Sequence, residues 1–239
     1  MDQVDVDKTD LTDERSGLSF RGLIEIFYRP SEFFEELKNH PKVLVPYIAL
    51  AVLLTGFFYL AVDFIIAMQM DMKQVQIVFE GGQFSAEQMK MMMYYQTIIG
   101  GVLTMLLTPL LIAALGLFWG NFVFGLKVSF KKVLSVVLFG EFLYTVGLMA
   151  HLPIMFAKDT FQVSFSPAVL VSNLGVQSFW YILLDKFSIF QIWEIVVVGI
   201  GLSIFYKIPR NKGYLISVLS VGGVAALHVL ATGIGMLLR

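Results

Sequence analysis

The sequence predicts an all-α integral membrane protein, a bundle of five transmembrane helices preceded by short amphipathic helices. Three observations lead there. Hydrophobic residues make up 57% of the 239 and charged residues only 15%, against roughly 45–50% and 25% in soluble domains. The apolar residues are also bunched: residues 91–126, 213–238 and 43–62 carry no Asp, Glu, Lys or Arg, giving runs of 36, 26 and 20 residues. About 20 helical residues cross a hydrocarbon core of roughly 30 Å, and a soluble core has no need of such runs. Finally, Lys and Arg gather in the N-terminal segment and in two short connections, as the flanks of membrane spans do.

Residues 1–17 (MDQVDVDKTDLTDERSG) form an acidic tail with too little apolar surface to offset ordering entropy, so disorder is expected. Without a basic start and an apolar stretch, this segment does not read as a cleaved signal peptide. Residues 18–41 form an amphipathic interfacial segment in which Leu18, Phe20, Leu23, Ile26, Phe27 and Phe34 alternate with Arg21, Arg29, Glu32, Glu35 and Glu36. Pro30 divides it into two short helices on the membrane face or against the bundle, with Ser31 as candidate cap of the second. Residues 42–239 form the transmembrane domain, with spans expected at about 43–68, 94–126, 133–157, 188–206 and 214–237. The second span is too long for one perpendicular crossing and too short for two, so tilt or a kink is expected, with Pro109 as the kink because it removes a backbone donor.

Orientation follows from counting Lys and Arg. The N-terminal segment and the connections 127–132 and 207–212 hold 12 of them, and the other side holds 5. This places the N-terminus in the cytoplasm and the C-terminus outside. The loops at about 69–93 and 158–187 then face outward. The first carries Ser85-Ala-Glu-Gln88, a capping-box start for the next helix. The second is apolar, with Trp180 and Tyr181 suited to the outer interface.

The candidate chemistry is sparse. No nucleophile elbow, zinc-protease pair, phosphate loop or dinucleotide fingerprint occurs, and there is no cysteine. No catalytic residue, cofactor or metal site is predicted, and neither nucleotide nor nucleic acid is an expected partner. Methionines cluster on the first outward loop, but soft copper ligation has no His or Cys beside them to complete it. The positive signal is ionisable groups within spans. Helical rise puts Glu141 about 12 Å, Glu194 about 18 Å and His228 about 20 Å from the inner ends of their helices. Asp63 and His151 fall near the outer interface. A charge at mid-bilayer costs about 2.5–3.5 kcal/mol. These groups therefore either line a proton, cation or polar-substrate path or hydrogen-bond helices together, as Tyr144, Thr145 and Ser203 also can. Gly116, Gly120, Gly222 and Gly223 are candidate helix-packing positions. Lipid, and another membrane protein or a second copy of the chain, are the expected partners.

Several phrases, in their order and spacing, resemble one family. They are Phe27-Tyr-Arg-Pro30-Ser-Glu-Phe-Phe34, then Pro41 and Pro46 leading into the first span, and Gly125-Leu-Lys-Val-Ser-Phe-Lys-Lys-Val-Leu-Ser-Val-Val137 entering the third. Phe187-Ser-Ile-Phe-Gln-Ile-Trp193 enters the fourth, and Gly199-Ile-Gly-Leu-Ser203 precedes the second basic turn. Together they resemble Yip1-domain membrane proteins over about residues 20–237. The resemblance implies five helices, a cytoplasmic N-terminus, no enzymatic activity and no catalytic residues. Eukaryotic members are linked to small GTPases and vesicle traffic, but the short acidic N-terminal region here departs from them. The chain is more similar to the prokaryotic branch of the plasma membrane, some of whose members accompany ABC-type exporters as accessory subunits.

Overall fold

The computed structural model describes residues 20–70, 86–160 and 163–238. The acidic tail and Ser85 of the expected capping box lie outside the described residues. Helices α1 (Phe20–Tyr28) and α2 (Pro30–Leu37) precede the long helix α3 (Leu44–Met70). A second long rod follows, built from α4 (Ala86–Tyr95), a π-helical turn (Gln96–Gly100), α5 (Gly101–Leu117) and a second π-helical stretch (Phe118–Val123). Then come α6 (Phe130–Met149) and α7 (Leu152–Lys158), and a 3₁₀ segment (Pro167–Leu174) leading to α8 (Phe179–Asp185). The antiparallel pair α9 (Ile189–Tyr206) and α10 (Arg210–Leu237) ends the chain. No strand occurs among the described residues. Among the described residues, five helices are long and apolar enough to cross a membrane: Leu44–Ala67, Glu87–Val123, Phe130–Lys158, Ile189–Tyr206 and Arg210–Met236.

Helix α6 is the axis of the bundle, in contact with α3, α5 and α9, while α10 packs on α9 and α5. Its most apolar stretch is 72% buried, against 17% for the rod α4–α5. The remaining surface of the outer helices is mainly Leu, Ile, Val and Phe, which lipid covers at no hydrophobic penalty. Serines join the rods: Ser135 Oγ donates to the Lys42 carbonyl at 2.7 Å, and Ser217 Oγ to that of Ile195 at 2.7 Å.

The two N-terminal helices turn one face inward. Leu23 and Ile26 on α1, and Phe33, Phe34 and Leu37 on α2, are buried, while Glu32, Glu35 and Glu36 point outward. Three- and four-residue spacing puts the apolar set on one stripe. Phe33 packs edge-on against Phe139 of α6, and Phe34 against Phe205 of α9. Ser31 is not the cap of α2. Pro30 occupies the first helical position, where no N–H is needed, and the Ser31 hydroxyl accepts from Arg210 Nη2 at 3.0 Å.

Pro109 sits inside a continuous α-helix, and the departures from α geometry lie to either side of it in the two π segments. The Tyr47 hydroxyl of α3 donates to the Leu106 carbonyl, next to the ladder position that the proline leaves without a donor. The two basic turns share one end of the bundle, hereafter the basic end. Asn121 locks the first from both sides, its amide donating to the Val128 carbonyl at 3.0 Å and its oxygen accepting from the Val128 N–H at 3.3 Å. Gly125 supplies that turn's left-handed residue (φ +66°).

Candidate functional site

The contact between α6 and α9 depends on glycine. A Cβ on Gly140 would strike Val198, and one on Gly147 would strike the Phe190 ring. This close approach brings two acids together. Glu141 and Glu194 stand at the same depth on neighbouring helices, near enough for each charge to act on the other. Both are buried, Glu194 to 1% exposure and Glu141 to 5%. Gln191, one turn away on α9, donates to Glu194 Oε2 at 2.9 Å, while Oε1 of the same carboxylate is buried without a hydrogen-bond partner among the described residues. Tyr144 lies within electrostatic reach of both acids and of Asp185. Two adjacent buried carboxylates with no cation beside them among the described residues cannot both be charged, so the pair can carry a proton or accept a cation between its members.

His228 is placed elsewhere. It lies roughly 27 Å along α10 from Arg210 by helical rise and is exposed to a cavity at the end opposite the basic turns. The cavity measures about 560 Å³ and is lined by Phe57, His151, Met155, Asp185, Lys186 and His228 among others. His151 caps α6, with Nδ1 at 3.0 Å from the Gly147 carbonyl and its ring edge-on to Phe165. Asp63 is exposed on α3 toward the same end and does not line the cavity.

The candidate packing glycines separate as well. Gly116 faces Val133 and Ser220, and a Cβ on Gly120 would overlap Tyr206, whose hydroxyl donates to the Gly116 carbonyl at 3.3 Å. Gly223 faces Leu115 at 3.7 Å, whereas Gly222 meets nothing beyond its own helix. Ser203 donates to the Ile200 carbonyl of its own helix rather than across an interface.

Gln191 and the cluster around Asp185 and Lys186 were not singled out by sequence reasoning. Ser164 and Ser166 both donate to Asp185 Oδ1, at 2.9 and 3.2 Å. Burial pushes the Lys186 ammonium pKa down, opposed by Asp185, and it pushes the Tyr181 phenol up, with Asp185 adding to the rise. The available signal was an Asp-Lys pair set directly after the apolar run of residues 179–184.

The Yip1 domain family model matches residues 24–233, from α1 to near the end of α10. The membrane protein YknW of Bacillus subtilis (strain 168) is 24% identical over 211 residues, covering 84% of this chain and 85% of the relative. No solved structure matches the chain.

Proposed function

The chain belongs to the Yip1-domain family of multi-span membrane proteins, and from that membership we propose that it is a non-enzymatic accessory subunit docking on another membrane complex. The observation that carries this reading is the second rod. At 37 residues it runs roughly 55 Å, well beyond the roughly 30 Å of hydrocarbon. Its far end, α4, therefore reaches the headgroups or passes them, with Met91, Met92 and Tyr95 more than half exposed. Exposed Met and Tyr side chains at that depth are suited to a protein neighbour. The membrane is the cytoplasmic membrane of a prokaryote, with the N-terminus inside and the C-terminus outside. An ABC-type exporter is the partner class suggested by resemblance to the prokaryotic branch. Affinity purification at native expression in mild detergent is expected to recover a stoichiometric membrane partner. A clean monomer or a self-oligomer overturns the proposal.

The meeting of Glu141 and Glu194 favours a second reading, a secondary transporter or channel in which this pair relays protons or a cation. In liposomes, Glu141→Gln and Glu194→Gln should then abolish proton-coupled flux while the variants still elute as folded protein. Flux unchanged by both substitutions, or absent from the natural chain, dismisses it.

A further inference from the structure

We propose that the cavity at the end opposite the basic turns binds an anionic phospholipid, its phosphate held between Lys186 and His228 and an acyl chain lying along the apolar wall. The two nitrogens converge on one space. Lys186 follows α8 and His228 projects from α10, close enough for the lysine's charge to act on the imidazole. Neither side chain makes a hydrogen bond or an ion pair among the described residues. A half-buried ammonium without a hydrogen-bonded partner is costly, because burial strips its water and only the through-space charge of Asp185 offsets that. The neighbouring acid makes no ion pair with the lysine among the described residues. Asp185 Oδ1 is committed to Ser164 and Ser166, whose hydroxyls are 2.6 Å apart, and Ser166 also accepts from the Ala168 N–H at 3.1 Å to start the 3₁₀ segment. Asp185 thus braces the loop from the cavity wall, while the Lys186 ammonium and the His228 imidazole face the same space.

The walls select the rest of the ligand. Phe57, Leu148, Met155 and Met236 line the same space, so a small hydrated anion would leave them wet, whereas an acyl chain covers them. Phosphate is the better match to the head, since it can accept from an ammonium and an imidazole N–H at once. The shared chemistry is a phosphate group, and its source, a lipid or the aqueous phase, is what the experiment separates.

Native mass spectrometry of the full chain in neutral detergent, titrated with phosphatidylglycerol, phosphatidylcholine or inorganic phosphate, tests the proposal. One phosphatidylglycerol is expected to bind at least about tenfold more tightly than phosphatidylcholine, because both carry the phosphate but the choline ammonium cancels its charge and is repelled by Lys186. Lys186→Met should remove most of that preference, His228→Gln should weaken binding of both lipids about tenfold, and Lys186→Arg should retain both preference and affinity. Because His228 is exposed, His228→Gln remains informative if Lys186→Met does not fold. Equal binding of the two lipids, or a phosphatidylglycerol affinity untouched in either folded variant, overturns the proposal. Inorganic phosphate binding as tightly as the lipid overturns the lipid assignment.

Discussion

At the scale of single residues, glycine decides how closely the rods approach. On α10, Gly213 stands against the backbone carbonyl of Gly199 and the Ser203 side chain, so a methyl group there has no room that a rotamer change could open. Gly222, nine positions along the same helix, meets only Val218 Cγ1 of its own helix at 3.9 Å. Gly213→Ala is therefore expected to cost at least about 1–3 kcal/mol, the range for overpacking, and to lower the thermal unfolding temperature in detergent. Gly222→Ala should leave that temperature unchanged or raise it, since alanine is favoured over glycine in a helix by up to about 1 kcal/mol. Equal effects from the two substitutions would refute this account of the α9–α10 contact. Asn121 gives a second residue-scale expectation. Asn121→Ala leaves the Val128 N–H and carbonyl without their partners, a loss of about 1–3 kcal/mol measurable in the same unfolding experiment.

At the scale of elements, α1 and α2 are part of the core. Phe34 is fully buried among Val136, Gly201 and Phe205, whereas Ile24, on the outer face of α1, is 62% exposed. Phe34→Ala is expected to destabilise the folded bundle by about 3–5 kcal/mol, the usual cost of emptying an aromatic site. Ile24→Ala should stay within about 0.5 kcal/mol. Chemical unfolding followed by tryptophan fluorescence separates the two, and a small effect of Phe34→Ala would mean that the N-terminal helices only rest on the bundle. The spans were legible in the sequence because hydropathy is local, so each helix announces itself without reference to its neighbours. The pairing of Glu141 with Glu194 was not legible. It depends on which face of α6 meets which face of α9, and that was settled by Gly140 and Gly147 admitting Val198 and Phe190. His228, equally prominent in the sequence, went to the far cavity because α10 enters from the basic end and carries it past the acids. The π segments flanking Gly101–Leu117 were hidden as well, since Pro109 was the only visible break in that run.

At the scale of the whole molecule, five candidate spans would put the two ends of the chain on opposite sides if each crosses once, with the lysines and arginines of the connections setting which side is which. The absence of cysteine from the natural sequence makes this directly measurable, because any single cysteine introduced is the only thiol to label. Asn211, exposed in the second basic turn, and Leu170, 83% exposed on the 3₁₀ segment, mark the two ends of the bundle. If the basic turns stay on the side of synthesis, Leu170→Cys reacts with a membrane-impermeant maleimide in intact cells, and Asn211→Cys reacts only after permeabilisation. The reverse pattern would invert the orientation while leaving the bundle unchanged. Labelling of both positions from the same side would be more serious, since α9 could not then cross the bilayer between them. The depth shared by Glu141 and Glu194 would no longer be a depth in lipid, and the ground for proposing a relay through them would disappear with it.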